Sequence, residues 1–118
     1  PPAIGPAGTV HCSMESWSRF AMAHLGSDAG RALLSDASWT RLHTEYGGGY
    51  ALGWGLDEGQ PWAGGTALYH TGSNTLWMAT VWLAPSIDRG YLTAANYGDD
   101  SAYSTNNDVI VSLISDYP

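Results

Sequence analysis

The stretch His70-Thr71-Gly72-Ser73-Asn74 gathers polar chemistry at the mouth of a run, Leu76 to Ala84, that carries no charge. A glycine at a strand end lets a second backbone approach closely, because no side chain holds it off. A substrate lying along that edge could pair as an added strand. The amide of Ser73 would then be free to face a developing oxyanion, and such a preorganised donor contributes ~2.7–4 kcal/mol in acyl transfer. His70 and Thr71 add a proton-carrying or hydrogen-bonding pair beside it. By spacing alone, the same letters also describe a turn-flanking His-Thr-Gly at a strand start, so the tetrapeptide leaves both readings open.

Other chemistries find less support. A Ser-His-Asp triad could draw on His11, His24, His43 or His70, but no Gly-x-Ser-x-Gly elbow is present. His11, Cys12 and His24 lack metal-ligand spacing, and the single cysteine, Cys12, excludes an internal disulfide framework. His24 and His43 fall on helical segments, where they read as half-buried polar residues. The acidic pairs Asp57-Glu58 and Asp99-Asp100 read as turn and cap residues. No cofactor or metal is implied.

At 118 residues the chain is one small domain at most, and 44% hydrophobic residues suffice for a core. The formal net charge is −7, and the four basic side chains are Arg19, Arg31, Arg41 and Arg89, so there is no lysine. Without a basic stripe neither nucleic acid nor an anionic membrane surface is an expected partner. No apolar run approaches the ~18 residues of a membrane span, and no signal-peptide pattern is visible. The opening "PPAIGPAG" has no initiator methionine and reads as part of something longer, a single partial domain over 1–118.

The elements that must position these residues follow from periodicity and punctuation. Pro1 to Gly8, rich in Pro and Gly, predicts a loop. Ser13 caps a first helix with Met14, Trp17, Ala21 and Leu25 near one face, Phe20 at its margin and Gly26 at its end. Ser35 caps a second, with Trp39, Leu42 and Tyr46 at helical spacing and Gly47-Gly48-Gly49 as its stop. The pattern then changes to strands: "YALGWGLDEG", "TALYHT", "LWMATVWLA" and "YLTAANYG". The third is apolar on both faces, which predicts cover on both sides. Short turns predict antiparallel pairing of neighbours. Asp99, Asp100 or Ser101 caps a last helix whose stripe is Ile110, Leu113, Ile114 and Tyr117. The fold class is α+β: an antiparallel sheet of three to four strands, a C-terminal helix across one face, and two short N-terminal helices that cover the other face incompletely.

Taken together, "HTGSNTLWMATVWLAPSIDRGYLTAANYG" resembles the third motif of the serine β-lactamase, DD-peptidase and esterase superfamily, in its broad β-lactamase-related branch. There a Lys-Thr-Gly or His-Thr/Ser-Gly triplet lies on a strand followed by two core strands, the last ending in an Asn-bearing turn. Ala95-Asn96-Tyr97-Gly98 matches that turn. "GPAGTVHCSMESWSRFAMAHL" is similar to the family's Pro-x-Gly loop and Ser-capped helix, and "YALGWGL" to its Tyr-x-Leu-Gly-Trp strand. The likeness is collinear over almost the whole chain. It implies that His70 takes the place of the triplet's first residue and that Thr71 binds a substrate carboxylate or polar group. It further implies that Gly72 allows close approach and that Ser73 gives its backbone N–H to the oxyanion hole. The catalytic residues so implied are His70 and Ser73; the substrate-binding ones are Thr71 and Gly72.

Histidine in place of lysine departs from penicillin-recognising members and leans towards an esterase or peptidase. The family's Ser-x-x-Lys nucleophile cannot occur in a chain without lysine. Ser104-Thr105-Asn106 matches the letters of the second motif but follows the triplet instead of preceding it. The resemblance therefore implies the C-terminal portion of a β-lactamase-like fold, catalytically silent alone. The implied partner is an N-terminal segment or chain of the same enzyme bearing the nucleophile. The substrate would be a small ester, amide or β-lactam, and the location exported or periplasmic. An exposed sheet edge, and association through it, are expected. The alternative is a non-catalytic aromatic-rich module for carbohydrate or peptide. Six tryptophans and seven tyrosines invite it; Trp54 and Trp62 are its free candidates, while Trp17, Trp39, Trp77 and Trp82 read as core.

Overall fold

Strands β1 (Gly55–Asp57), β2 (Ala67–Ser73), β3 (Met78–Ala84) and β4 (Arg89–Ala95) form one antiparallel sheet in the order β1-β2-β3-β4. This is a computed structural model in which residues 2–118 are described. The helices are α1 (Gly5–Gly8), α2 (Met14–His24), α3 (Asp28–Arg31), α4 (Asp36–His43) and α5 (Asp100–Asp116). The α+β arrangement is the one the sequence predicts, with every strand paired to its neighbour in sequence.

The pleat alternates side chains between faces. Register puts Tyr69, Trp82 and Tyr91 in one row, and Thr71, Thr80 and Thr93 in the next, on the same face. Helix α5 lies there and buries Ala102, Asn106 and Ile110, whose spacing of four keeps them on one stripe. Tyr91 donates its hydroxyl to the Tyr117 carbonyl at 2.6 Å, tying the helix end to the sheet. The opposite face carries Leu68, His70, Gly72, Val81 and Leu83. Here Ala21 of α2 joins Ala51, Trp54, Leu68, Val81 and Leu83 in a core that Trp17, Leu25, Leu56 and Leu92 flank.

The caps fall where hydroxyl and carboxylate chemistry requires. Ser13 accepts from the Ser16 amide, Ser35 from Ser38, and Asp99 from Ser101 and Ala102, each satisfying amides the first turn leaves bare.

Several expectations need correction. Within the predicted N-terminal loop, Pro2–Ile4 is a 3₁₀ turn and Gly5–Gly8 a single helical turn; Pro6 sits where a missing N–H costs nothing, and Thr9 bonds the Gly5 carbonyl. Pro1 lies outside the described residues. Helix α3, capped by Ser27, was not expected; its Gly30 lies so close to Ala23 that a Cβ would come within 2.3 Å of its Cα. Helix α4 ends at His43, ahead of the glycines, leaving Tyr46 outside it and exposed. "YALGWGLDEG" is not one strand: Tyr50 bridges Gly55 across a tight turn through Gly53 (φ +91°), and only Gly55–Asp57 continues.

The tryptophans also change places. Trp54 is 5% exposed, and Trp62 packs edge-on against Trp82 and Tyr91, whereas Trp77 is 58% exposed. Trp77 belongs to the hairpin end, beyond the reach of α2. In α5 the buried stripe begins earlier than expected, at Ala102, and Tyr117 falls beyond the helix.

Burial along α5 gives a direct check. Ile110→Ala, at a site 2% exposed, is expected to lower stability by about 2–5 kcal/mol in urea unfolding. Val111→Ala, at 54%, should stay within about 0.5 kcal/mol.

Candidate active site

Strand β2 continues beyond its neighbour. β1 reaches only as far as Gly55, opposite Tyr69, so His70 to Ser73 have β3 on one side and no strand on the other. The hairpin closes with the Asn74 amide donating to the Trp77 carbonyl. In an antiparallel ladder the bonding direction alternates residue by residue. Counting back from Asn74, the amides of Gly72 and His70 face β3, while those of Ser73 and Thr71 point to the uncovered edge. Gly72 has no atom within 4 Å of where a Cβ would lie. Ser73 therefore presents an outward N–H next to a residue that leaves room for another chain or a ligand.

The turn holding that amide is fastened twice. Ser73 Oγ donates to the Gly98 carbonyl at 2.8 Å and accepts from the Thr75 amide at 3.0 Å. Asn74 Oδ1 accepts from the amides of Leu76 and Trp77 at 3.2 and 2.9 Å. Thr75 takes φ +74°, a left-handed conformation that a β-branched residue rarely adopts. Gly98 approaches so closely that a Cβ there would lie 2.7 Å from Ser73 Oγ and 2.7 Å from the Thr75 carbonyl carbon. The turn after β4 thus braces the β2–β3 hairpin.

His70, Gly72, Ser73 and Asn74 line an open groove of about 1110 Å³ on the α2 face. Its far wall is apolar, built from Trp17 and Phe20 of α2, Leu33 and Leu34 after α3, and Trp54 and Trp77. Thr71 is the exception among the predicted site residues. Strand alternation turns its side chain to the α5 face, where its hydroxyl donates to Thr80 Oγ1 at 3.3 Å. The backbone of Thr71, not its side chain, belongs to the open edge. Among the described residues no group of three or more His, Cys, Asp or Glu could hold a metal ion, and no helix is long and apolar enough to cross a membrane.

One feature of the groove wall escaped the sequence reading. His24 Nδ1 and His43 Nε2 lie 2.9 Å apart, joining the last residues of α2 and α4. His24 is 8% exposed and ringed by Phe20, Trp39 and Trp54 at centroid distances of 4.6, 5.1 and 4.8 Å. The indole N–H of Trp39 is buried without a protein partner among the described residues. Burial first, and the neighbouring His43 second, lower the His24 pKa to about 4; burial lowers that of His43 as well. One neutral ring donates and the other accepts. Nineteen residues separate the two histidines, and no short-range spacing signals such a pair.

Compared with protein-family models, curated proteins and solved structures, the chain matches none.

Two outcomes follow from this geometry. The native state holds His24 neutral down to about pH 4, whereas the unfolded chain protonates it near 6.5. The contribution of this pair to stability should therefore be constant above about pH 7 and be lost progressively as the pH falls from 7 to 5. In urea midpoints measured at both pH values, His24→Phe should show a much smaller fall. Gly98→Ala should cost about 1–3 kcal/mol by overpacking and shift the backbone NMR signals of Ser73 to Thr75, leaving those of α2 in place.

Proposed function

We propose that the chain is the C-terminal segment of a β-lactamase-like serine hydrolase and supplies one wall of its acyl-transfer cleft. One observation carries this reading: the outward amide of Ser73 beside the unobstructed Gly72, at a strand edge that opens into the groove. The collinear motif resemblance supports it independently.

In this reading the substrate lies along the exposed side of β2 and pairs with the backbone of Thr71. The Ser73 N–H donates to the carbonyl oxygen and strengthens its bond as that oxygen gains charge in the tetrahedral state. His70, on the groove face, hydrogen-bonds the substrate or passes a proton. The attacking hydroxyl comes from polypeptide outside residues 1–118, since a chain without lysine has no Ser-x-x-Lys. That oxygen adds to the acyl carbon, the leaving alcohol or amine departs with a proton, and water then releases the acid. An uncharged acyl group in an ester or amide fits a triplet headed by histidine. The partner is the N-terminal segment or chain carrying the nucleophile.

The test is fluorophosphonate labelling of the product of the complete reading frame, with the labelled serine located by mass spectrometry. The expected label falls on a serine outside residues 1–118, and Gly72→Val, whose side chain would project into the groove beside the edge, slows labelling at least tenfold. A label on a serine within 1–118, or a rate indifferent to Gly72→Val in a folded variant, overturns the proposal.

A further inference from the structure

On the α5 side of β2, opposite the groove, lies a second, smaller cavity of about 210 Å³ between β1, β2, β3 and α5. It falls below the ~300–1,000 Å³ of pockets for drug-sized ligands, so its occupant is one small ring. Nothing in the acyl-transfer reading uses it.

Four aromatic rings shape it. Tyr69 stacks on Trp82, with centroids 4.7 Å apart and planes 18° from parallel, and the pair forms one wall. Gly55 lets the other side of the Tyr69 ring settle over the backbone: a Cβ at this position would lie 2.4 Å from it. Tyr50 and Tyr103 stand at the rim, 46% and 57% exposed. Between the rings sit neutral hydrogen-bonding groups. The Thr71 hydroxyl gives its proton to Thr80 and so keeps its lone pairs for an incoming donor. Asn107, one position past the buried Asn106 on α5, brings an amide that both donates and accepts. His70, whose side chain faces the groove, borders this cavity from the other side of the strand.

The lining contains no carboxylate and no guanidinium, although the chain carries eleven acidic and four basic residues. An ionic ligand would find no counter-charge here. A purely apolar ligand would strand the threonine and asparagine groups. What satisfies both the exposed aromatic rings and the neutral donors and acceptors between them is a molecule with an apolar face and hydroxyls around its edge.

From this juxtaposition we propose that the cavity bounded by Tyr69, Trp82, Tyr103 and Asn107 binds a neutral saccharide ring. The pyranose C–H face lies on the exposed ring of Tyr103, and its hydroxyls engage Thr71 and Asn107. Binding here goes beyond the acyl-transfer reading and is independent of it.

The test is saturation-transfer NMR on the chain, with methyl glucoside and N-acetylglucosamine as probes and glycerol as a polyol without a ring. Both sugars, or either one, should receive saturation at millimolar concentration, while glycerol does not. Tyr103→Ala and Asn107→Ala, both at exposed positions of α5, should each weaken binding at least tenfold with unchanged circular dichroism. Trp77→Ala, in the groove, and Gly72→Val should leave it intact, which separates this proposal from the fate of the hydrolase reading. Absence of transfer to both sugars, transfer that survives Tyr103→Ala and Asn107→Ala, or transfer lost on Trp77→Ala overturns it.

Discussion

The register of the β2–β3 hairpin is the constraint on which the remaining structure depends. A slip of one residue would exchange the two faces of β2, sending His70 and Gly72 under α5 and Thr71 and Tyr69 into the groove. Hydrophobic patterning resists this weakly, because β3 is apolar on both faces and would find cover either way. The turn supplies the missing specification. Its two central residues, Thr75 and Leu76, require the first to take positive φ, and the bonds of Ser73 Oγ and Asn74 Oδ1 hold it there against steric preference. Gly98 adds a contact that tolerates no side chain.

Cover on the two faces is unequal, and the groove is its consequence. Helix α5 is 17 residues long, about 25 Å at 1.5 Å per residue, and spans the sheet. Helix α2, with 11 residues, meets the other face through Trp17 and Ala21, beside Leu68, Val81 and Leu83. Val10, Phe20, Leu33 and Trp77, all more than half exposed, are left along the groove. Exposed apolar surface of this kind is what interaction sites are made of, and the N-terminal segment proposed above would find its place there. At the sheet's other side, the same alternation directs the backbone groups of Gly90, Leu92 and Ala94 away from β3, so β4 presents an open edge as well.

What the sequence disclosed was mostly local. The caps at Ser13, Ser35 and Asp99, the four strands and the long final helix were legible because each rests on chemistry within a few residues. The fine path of Tyr50 to Trp54 was not, since a Gly-interspersed aromatic run fits a strand or a tight turn equally well. Trp54 and Trp77 exchanged roles for a related reason: burial there depends on how far α2 reaches, which no period encodes. The polar line from His70 to Ser73 was found by its letters, but only pairing showed which of its amides face outward. The His24–His43 bond lay out of reach, because it depends on how α2 and α4 meet.

Electrostatics narrows what the site can hold. Of the four arginines, Arg19 alone lines the groove, and its guanidinium bonds Glu15 at 2.6 Å. Arg31 is engaged with the Gly26 carbonyl, and Arg89 with the carbonyls of Asp88 and Pro118. An anionic substrate approaching β2 would therefore meet a chain of formal charge −7 with no uncommitted arginine among the described residues lining the groove. Its repulsion is damped beyond the ~8 Å screening length of physiological salt, but within contact range nothing offsets it. The recognition proposed on the two sides of β2 would then rest on hydrogen bonds and ring faces instead of ion pairs. For the acyl transfer proposed on the groove side this argues for acyl groups without a carboxylate, and for the ligand proposed on the α5 side it argues for hydroxylated rings.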